Sequence, residues 1–387
     1  MNFDFDTPVN RRGTYSYKWE VAENELPMWV ADMDFETAPA VKQALAKRVE
    51  HGVFGYSIVP DDWYSAYTNW WKNRHGLTIE PEWLIFTTGV VPGISSAVRK
   101  LTTPAEKILL LSPTYNIFYS TIRNNGRVPL EVPLALDRTD GGLSYGIDFD
   151  ALEKGLSDPQ TSMMIFCNPH NPVGRIWTAE EIAKVGALCE KYGVTVLSDE
   201  IHCDITSPGK SYVPFASVNE TCRRISVTLI APTKAFNLAG LQTAAVFASD
   251  PFLRHKMWRT LNTDDVAEPN AFAVDAVIAA FNESGEWLDA MRAYVQSNRE
   301  LVDGFLKKEL PELALTPADA TYLIWIDVSR VTSDVEAYTD FLRRETGLYV
   351  LPGPFGRRER FRGKGQRGRL SGKTPSRKAQ ENTRAAT

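Results

Sequence analysis

Short apolar runs bounded by turn residues recur along most of the chain. Seven of them, at 83–87, 107–111, 127–132, 163–167, 194–198, 225–229 and 243–248, have the length and composition of buried strands. Helical patterns lie between several of them. The clearest opens at Thr178 with Glu181 three residues on, a capping box heading an amphipathic run to about Tyr192. Strands alternating with helices predict an α/β fold with a mostly parallel, seven-stranded sheet covered by helices on both faces and ligands beyond the carboxyl ends of its strands. From about Pro269 the pattern becomes long helices, then the stretch 321–327, another helical stretch, and the run 348–351. That predicts a second, smaller α+β domain. The expected division is 1–48 as an N-terminal segment joining the small domain, 49–280 as the large domain, 281–353 as the small domain and 354–387 as a tail. No internal repeat is visible.

The tail departs from the rest in composition. Residues 354–387 carry eleven Lys or Arg against Glu359 and Glu381, a net charge of +9, which leaves the remaining chain at −14 (32 basic against 46 acidic residues). Its large apolar residues are Phe355, Phe361 and Leu370, too few to offset the entropy of ordering, so the composition predicts disorder. An arm for a polyanion is a further reading of such a basic run, ranked below a solvated tail; nucleic acid is not the expected partner.

The 387 residues, 43% of them hydrophobic, give room for two domains. The N-terminus has no basic flank followed by an apolar run, and no segment approaches the ~20 apolar residues of a membrane span. The expected location is the cytoplasm. Cys167, Cys189, Cys203 and Cys222 are scattered without CxxC spacing, which fits a reducing compartment and buried thiols rather than disulfides or a cysteine-built metal site. His51, His75 and His255 have no metal-ligand spacing, and no metal is expected. The ten tryptophans, Trp70 and Trp71 among them, read as core or dimer interface.

Candidate chemistry centres on Asp199 and Lys234. The first closes the apolar run 194–198; the second follows another strand within Ala231, Pro232, Thr233, Lys234. Each alone is weak, because strand-end aspartates often cap loops and lysines near strands are often solvated. Together they fit pyridoxal phosphate, since a lysine can hold the aldehyde as a Schiff base and a carboxylate can keep the pyridine nitrogen protonated. Asn171, in the strand-to-helix loop 168–174 (Asn-Pro-His-Asn-Pro-Val-Gly), can bond a ring hydroxyl or form an Asx turn before Pro172. Backbone N–H groups around Gly89 and Val90, at a helix start, can hold a phosphate. Tyr115 can stack on a planar group or fill core. Arg175 can meet substrate or form a structural ion pair.

The stretches 168–174, 199–202 (Asp-Glu-Ile-His) and 232–240 (Pro-Thr-Lys-Ala-Phe-Asn-Leu-Ala-Gly) resemble those of fold-type I pyridoxal-phosphate enzymes, the class I/II aminotransferase family. More narrowly, 27–35 (Pro-Met-Trp-Val-Ala-Asp-Met-Asp-Phe) and 54–56 (Phe-Gly-Tyr) look like its cystathionine β-lyase branch, the MalY/PatB-type C–S lyases. The resemblance runs from about residue 3 to Pro354. It implies that Lys234 binds the pyridoxal 5′-phosphate aldehyde and moves the substrate Cα proton. By the same resemblance Asp199 pairs with the pyridine nitrogen, Asn171 with the ring hydroxyl, His202 supports that site and Tyr115 stacks on the ring. Gly89, Val90 and Thr233 join the cofactor-binding set, and Tyr56 reaches the phosphate of the neighbouring subunit, which implies a homodimer. The implied reaction on cystathionine or a related cysteine conjugate is α,β-elimination to a thiol, pyruvate and ammonia.

Two departures from the family stand out. Ala231 occupies the position three before the lysine where many relatives have a phosphate-binding serine. After 351–354 (Leu-Pro-Gly-Pro) the family continues with an Arg-x-Asn-x-Ala motif whose arginine clamps the substrate carboxylate, and here neither that motif nor the closing helix is visible. A third reading of the tail, ranked above the other two, is a reading-frame shift near residue 354, which would account for the missing motif and helix; read in the other two frames, the encoding DNA would then contain the motif. If the tail is as written, a cofactor-binding protein with impaired catalysis is an alternative to the lyase, and an aminotransferase is the enzymatic alternative.

Overall fold

The computed structural model describes residues 3–139 and 142–353. The basic tail from Pro354 and its expected disorder lie outside the described residues. Seven strands form the main sheet: β1 Leu84–Thr87, β2 Lys107–Ser112, β3 Val128–Pro133, β4 Thr161–Cys167, β5 Thr195–Asp199, β6 Ser226–Ile230 and β7 Ala244–Phe247. Their spatial order is β1-β7-β6-β5-β4-β2-β3. Every neighbouring pair is parallel except those made by β7, which runs antiparallel to both β6 and β1. Residues of β5 and β6 are buried almost throughout, which is why these strands read as continuous apolar runs rather than alternating ones.

Helices fill both faces. On one, Ile94, Ala97 and Val98 of the helix Val90–Leu101 pack with Phe118 and Ile122 of the helix Asn116–Asn124 onto Leu110, Ile165, Leu197 and Leu229. On the other, Ile182, Val185 and Cys189 of the helix Ala179–Lys191 meet Met164, Phe166 and Val196. That helix has its capping box, with Thr178 Oγ1 accepting from the Glu181 N–H and the Glu181 carboxylate from the Thr178 N–H. A third cluster gathers Trp63, Tyr67, Trp71, Phe236, Phe281 and Trp287. Trp70 and Trp71 are core, and all four cysteines are buried and free.

Register delivers the chemistry to one edge. Cys167 pairs with Asp199, and Asp199 with Leu229, so three adjacent strands end side by side. The loops leaving them begin at Asn168, Glu200 and Ala231.

Beyond the helix Gly285–Glu309 the strands are short. Leu26–Pro27 pairs in parallel with Leu348–Tyr349, tying the N-terminal segment to the last described element, and Arg343 adds an ion pair to Glu25 at 2.6 Å. Ala314–Leu315 pairs with Ile326–Asp327. Within the stretch 321–327 a strand forms only at the last two residues. Thr321 takes a left-handed conformation, φ +69°, and the Arg299 guanidinium holds the carbonyls of Ala318, Thr321 and Leu323, so these groups are satisfied away from a ladder.

Gly174 joins this region to the sheet edge. Its carbonyl accepts from the Asp319 and Ala320 N–H groups at 2.8 and 3.0 Å, and its φ is +73°. An added Cβ would lie 2.3 Å from Ala318 Cβ and 2.7 Å from the Ala320 carbonyl oxygen. Gly174→Ala should therefore cost roughly 2–4 kcal/mol, from backbone strain and a clash with main chain that cannot swing away, measured by urea unfolding.

Candidate active site

Asp199 ends β5 with its side chain buried, and its Oδ1 accepts from the Ile201 N–H at 3.1 Å. Lys234 lies in the turn after β6, and its Nζ donates to the Ala31 carbonyl at 2.6 Å. Burial pushes the Asp199 carboxyl up to about 7, with Glu200 adding to the rise and Lys234 opposing it. Burial also holds the Lys234 amine below its ordinary value, against the pull of Asp32 and Asp199. A strand-end acid and a neighbouring amine have both been taken out of water, and each biases the other toward charge.

The remaining expected residues cluster unevenly. Asn171 Nδ2 lies 3.4 Å from His202 Nε2, and burial together with the Lys234 charge pulls His202 down to about 3, so its imidazole is neutral. Its Nδ1 is buried with no hydrogen-bond partner among the described residues. Burial raises Tyr115 to about 12, helped by Asp199, which places this phenol within reach of the same carboxylate field. Gly89 and Val90 head the helix Val90–Leu101, whose first turn carries no acidic residue. Thr233 is buried beside Lys234, and Ala231 is almost wholly enclosed. Tyr56 is not brought to this group: it is fully exposed, in a run with exposed Val53, Phe54 and Ile58.

Arg175 resolves to structure rather than substrate. Its guanidinium pairs with Glu181 at 3.1 Å and its Nε donates to the Tyr145 carbonyl.

Several site residues escaped the sequence reading. His170 Nε2 meets the Pro113 carbonyl at 2.8 Å and stitches the loop after β4 to the loop after β2. Asn237, at φ +57°, accepts from the Met33 N–H and donates to the Met33 and Phe35 carbonyls, each at 3.0–3.1 Å. Tyr322 donates its hydroxyl to the Ala31 carbonyl at 2.9 Å. Arg11 and Lys18 bind Asp32 and Asp34, which fixes the segment 31–35 over the lysine. The resemblance carried by 27–35 is the one sequence signal for this segment.

One cluster was invisible to sequence spacing. His75, Cys203 and Asp204 have ligand atoms within 4.8 Å of one another, a grouping that the sequence spacing of His75 does not show. Asp204 Oδ1 already accepts from Trp70 Nε1 and contacts His75 Nε2, both at 2.9 Å, so the grouping is accounted for as a hydrogen-bonded pin of the helix Asp61–His75.

The sequence matches the family described as aminotransferase class I and II over residues 24–376. The cystathionine beta-lyase PatB of Bacillus subtilis is 42% identical over 90% of this chain and 92% of its own length. Among solved structures, cystalysin from Treponema denticola, which contains a pyridoxal 5′-phosphate cofactor, superposes with a TM-score of 0.86 at 31% identity, covering 90% of each chain. The pyridoxal-phosphate-bound C–S lyase of Staphylococcus hominis gives 0.82 at 32% identity, over 90% of this chain and 89% of that one.

A buried carboxyl that stays protonated to about pH 7 makes a signed prediction for the cofactor-free chain. An unfolded aspartate loses its proton near pH 4, so between about pH 4 and 7 the native state binds the extra proton, and stability falls as pH rises through that window. Asp199→Asn removes the penalty. The variant should be more stable than the parent at pH 8, by an amount on the order of a few kcal/mol, and should lose that advantage near pH 4; thermal melts across this range measure it.

Proposed function

The chain belongs to the class I and II aminotransferase family, and within it we propose a pyridoxal 5′-phosphate-dependent carbon–sulfur β-lyase that cleaves cystathionine or a related cysteine conjugate. The observation that carries this reading is the buried Asp199 carboxyl near the part-buried Lys234 amine at the carboxyl edge of the sheet, in a chain 42% identical to a cystathionine beta-lyase. With cystathionine, water enters and homocysteine, pyruvate and ammonia leave.

The residues fit the cofactor. A buried acid with one backbone donor has a free oxygen for a protonated ring nitrogen, and the buried, partnerless His202 Nδ1 is a polar atom that a ligand or its water would satisfy. The acid-free helix start at Gly89 and Val90 suits a phosphate, with Thr233 close to the lysine. When bound, pyridoxal phosphate supplies an aldehyde carbon for imine exchange and an electron-accepting pyridinium ring. Asp199 holds the proton at the ring nitrogen. Asn171, steadied by His202, donates to the ring hydroxyl, and Tyr115 covers the ring face. The Lys234 amine, kept below its ordinary pKa by burial, takes the proton from the substrate Cα and can return it to the departing sulfur. Ala231 offers no hydroxyl, so the phosphate rests more heavily on backbone N–H groups.

Tyr56 belongs to the reading through a second copy of the chain. Its exposure, with Val53, Phe54 and Ile58 around it, supports a homodimer in which this hydroxyl meets the partner's phosphate. Among the described residues no helix is long and apolar enough to cross a membrane; the cytoplasm and the division into domains at 48, 280 and 353 stay parts of this proposal.

Pyridoxal phosphate and L-cystathionine added in turn to the purified chain, with the visible spectrum and pyruvate followed together, test the reading. A cofactor band fixed by borohydride, followed by pyruvate without a keto acid, is expected, and Lys234→Ala should abolish both. Dependence on a keto-acid acceptor would make the chain an aminotransferase. A band without product would favour the cofactor-binding alternative, for which the missing Arg-x-Asn-x-Ala motif after Gly353 is the motivating observation. Tyr56→Phe should weaken cofactor affinity about tenfold or more in a fluorescence titration, the value of one hydrogen bond to a charged group.

A further inference from the structure

The Ala31 carbonyl receives two donors, Lys234 Nζ at 2.6 Å and the Tyr322 hydroxyl at 2.9 Å. A carbonyl oxygen has two lone pairs, and here both are taken. The three partners come from distant parts of the chain: the N-terminal segment, the turn after β6 and the segment after the helix Gly285–Glu309. The first two are fastened to each other and the third separately. Asn237 clamps the backbone of Met33 and Phe35, and Thr37 Oγ1 donates to the Phe236 carbonyl at 2.7 Å. Arg299 grips the carbonyls on either side of Tyr322, and the Thr321 N–H donates to the Ile205 carbonyl at 2.7 Å.

The residue before Tyr322 carries the second observation. Thr321 is β-branched, buried, and held at φ +69°, a conformation such residues avoid. Strain of this kind persists where the surroundings over-determine it, and its effect here is to aim the next side chain inward. The Tyr322 ring stands edge-on to His202, with centroids 6.2 Å apart.

We propose that Tyr322 is a positioning residue for the Lys234 amine, holding the Ala31 carbonyl as the dock to which that amine returns whenever it is not joined to cofactor. This rests on the reading of Lys234 as the group that moves the Cα proton. An amine that donates one N–H to a fixed carbonyl has its remaining positions directed away from it, so its lone pair is oriented before the proton is transferred. The phenol keeps its proton at working pH, since burial and the Asp32 carboxylate raise it, and it remains a donor throughout. By occupying half of the Ala31 oxygen, it also limits how strongly that oxygen stabilises the ammonium form of the lysine. The other groups acting on the amine are Asp32, itself paired with Arg11 and Lys18, and Asp199, with neutral His202 beside them.

Tyr322→Phe removes one hydroxyl and keeps the ring against His202. In the cofactor-free variant, the pH midpoint at which Lys234 reacts with acetic anhydride, read by mass spectrometry of its peptide, should rise by about 0.5–1 unit, because the carbonyl turns wholly to the ammonium. In the loaded enzyme the acid limb of kcat should move alkaline by the same amount. Activity below it should fall about three- to tenfold, with KM for cystathionine unchanged and a larger isotope effect on Cα-deuterated substrate. A folded variant with wild-type labelling midpoint would overturn the proposal, as would a variant whose only change is a lower melting temperature. The labelling needs neither cofactor nor turnover, so a chain without lyase activity would sink the functional reading while leaving this test intact. If Tyr322→Phe fails to fold, 3-fluorotyrosine at position 322 keeps the hydroxyl and strengthens it as a donor, and the midpoint should then fall; no change would count against the dock.

Discussion

The structure depends on a carboxylate placed where water cannot reach it. Asp199 ends a strand flanked on both sides by parallel partners and covered on both faces by helices, so its carboxyl loses solvent with only the Ile201 N–H in return. That loss lifts its proton affinity to about 7. A cation brought against it would remove much of the penalty, so the chain carries a built-in thermodynamic reason to bind a protonated ring at this edge. The neighbouring amine is held in the opposite sense, its charge disfavoured by the same burial. Sheet register, by ending Cys167, Asp199 and Leu229 side by side, creates both conditions at once.

The edge alone is not a site. Its lysine is oriented by a segment some two hundred residues earlier in the chain, and that segment has almost no regular structure of its own. It is held instead by side chains: Asn237 through three hydrogen bonds, Arg11 and Lys18 through Asp32 and Asp34, and Leu26–Pro27 through a two-residue ladder with Leu348–Tyr349. Arg299 does the same for the segment carrying Tyr322. Both arms converge on one carbonyl, which makes the geometry at Lys234 a property of the whole chain rather than of its own turn.

The fold was legible because a parallel sheet buried on both faces leaves uninterrupted apolar runs. All seven runs read as strands are the strands of the sheet, with ends displaced by two residues at most, and the capping box at Thr178 marks its helix start. The stretch 321–327 holds a strand only at its end for an equally physical reason. Its residues have strand-like side chains, but Arg299 and the left-handed Thr321 satisfy and turn the backbone, and neither effect is local in sequence. Asp199, Lys234 and Asn171, singled out by strand ends and loops, and His202, singled out by the resemblance, are brought together at this edge. Tyr322, Asn237 and the His75–Cys203–Asp204 pin were not singled out, because what defines them is a contact across the fold rather than a spacing along it.

The resemblance divides the site between a cofactor edge that lies within the described residues and a substrate clamp that in the family follows the segment ending at Pro354. On the proposed reading, cofactor affinity draws on Asp199, the helix start at Gly89 and Val90, and Lys234, all of which lie in the described residues. Substrate orientation in the family draws on an arginine beyond Gly353, and charge-assisted bidentate contacts fix direction as well as affinity. Losing such a contact costs more in a transition state that needs one Cα bond aligned with the ring than in simple binding. If the tail as written lacks that arginine, colour would survive more easily than turnover, and turnover would depend more heavily on the orientation that the Ala31 carbonyl gives the Lys234 amine.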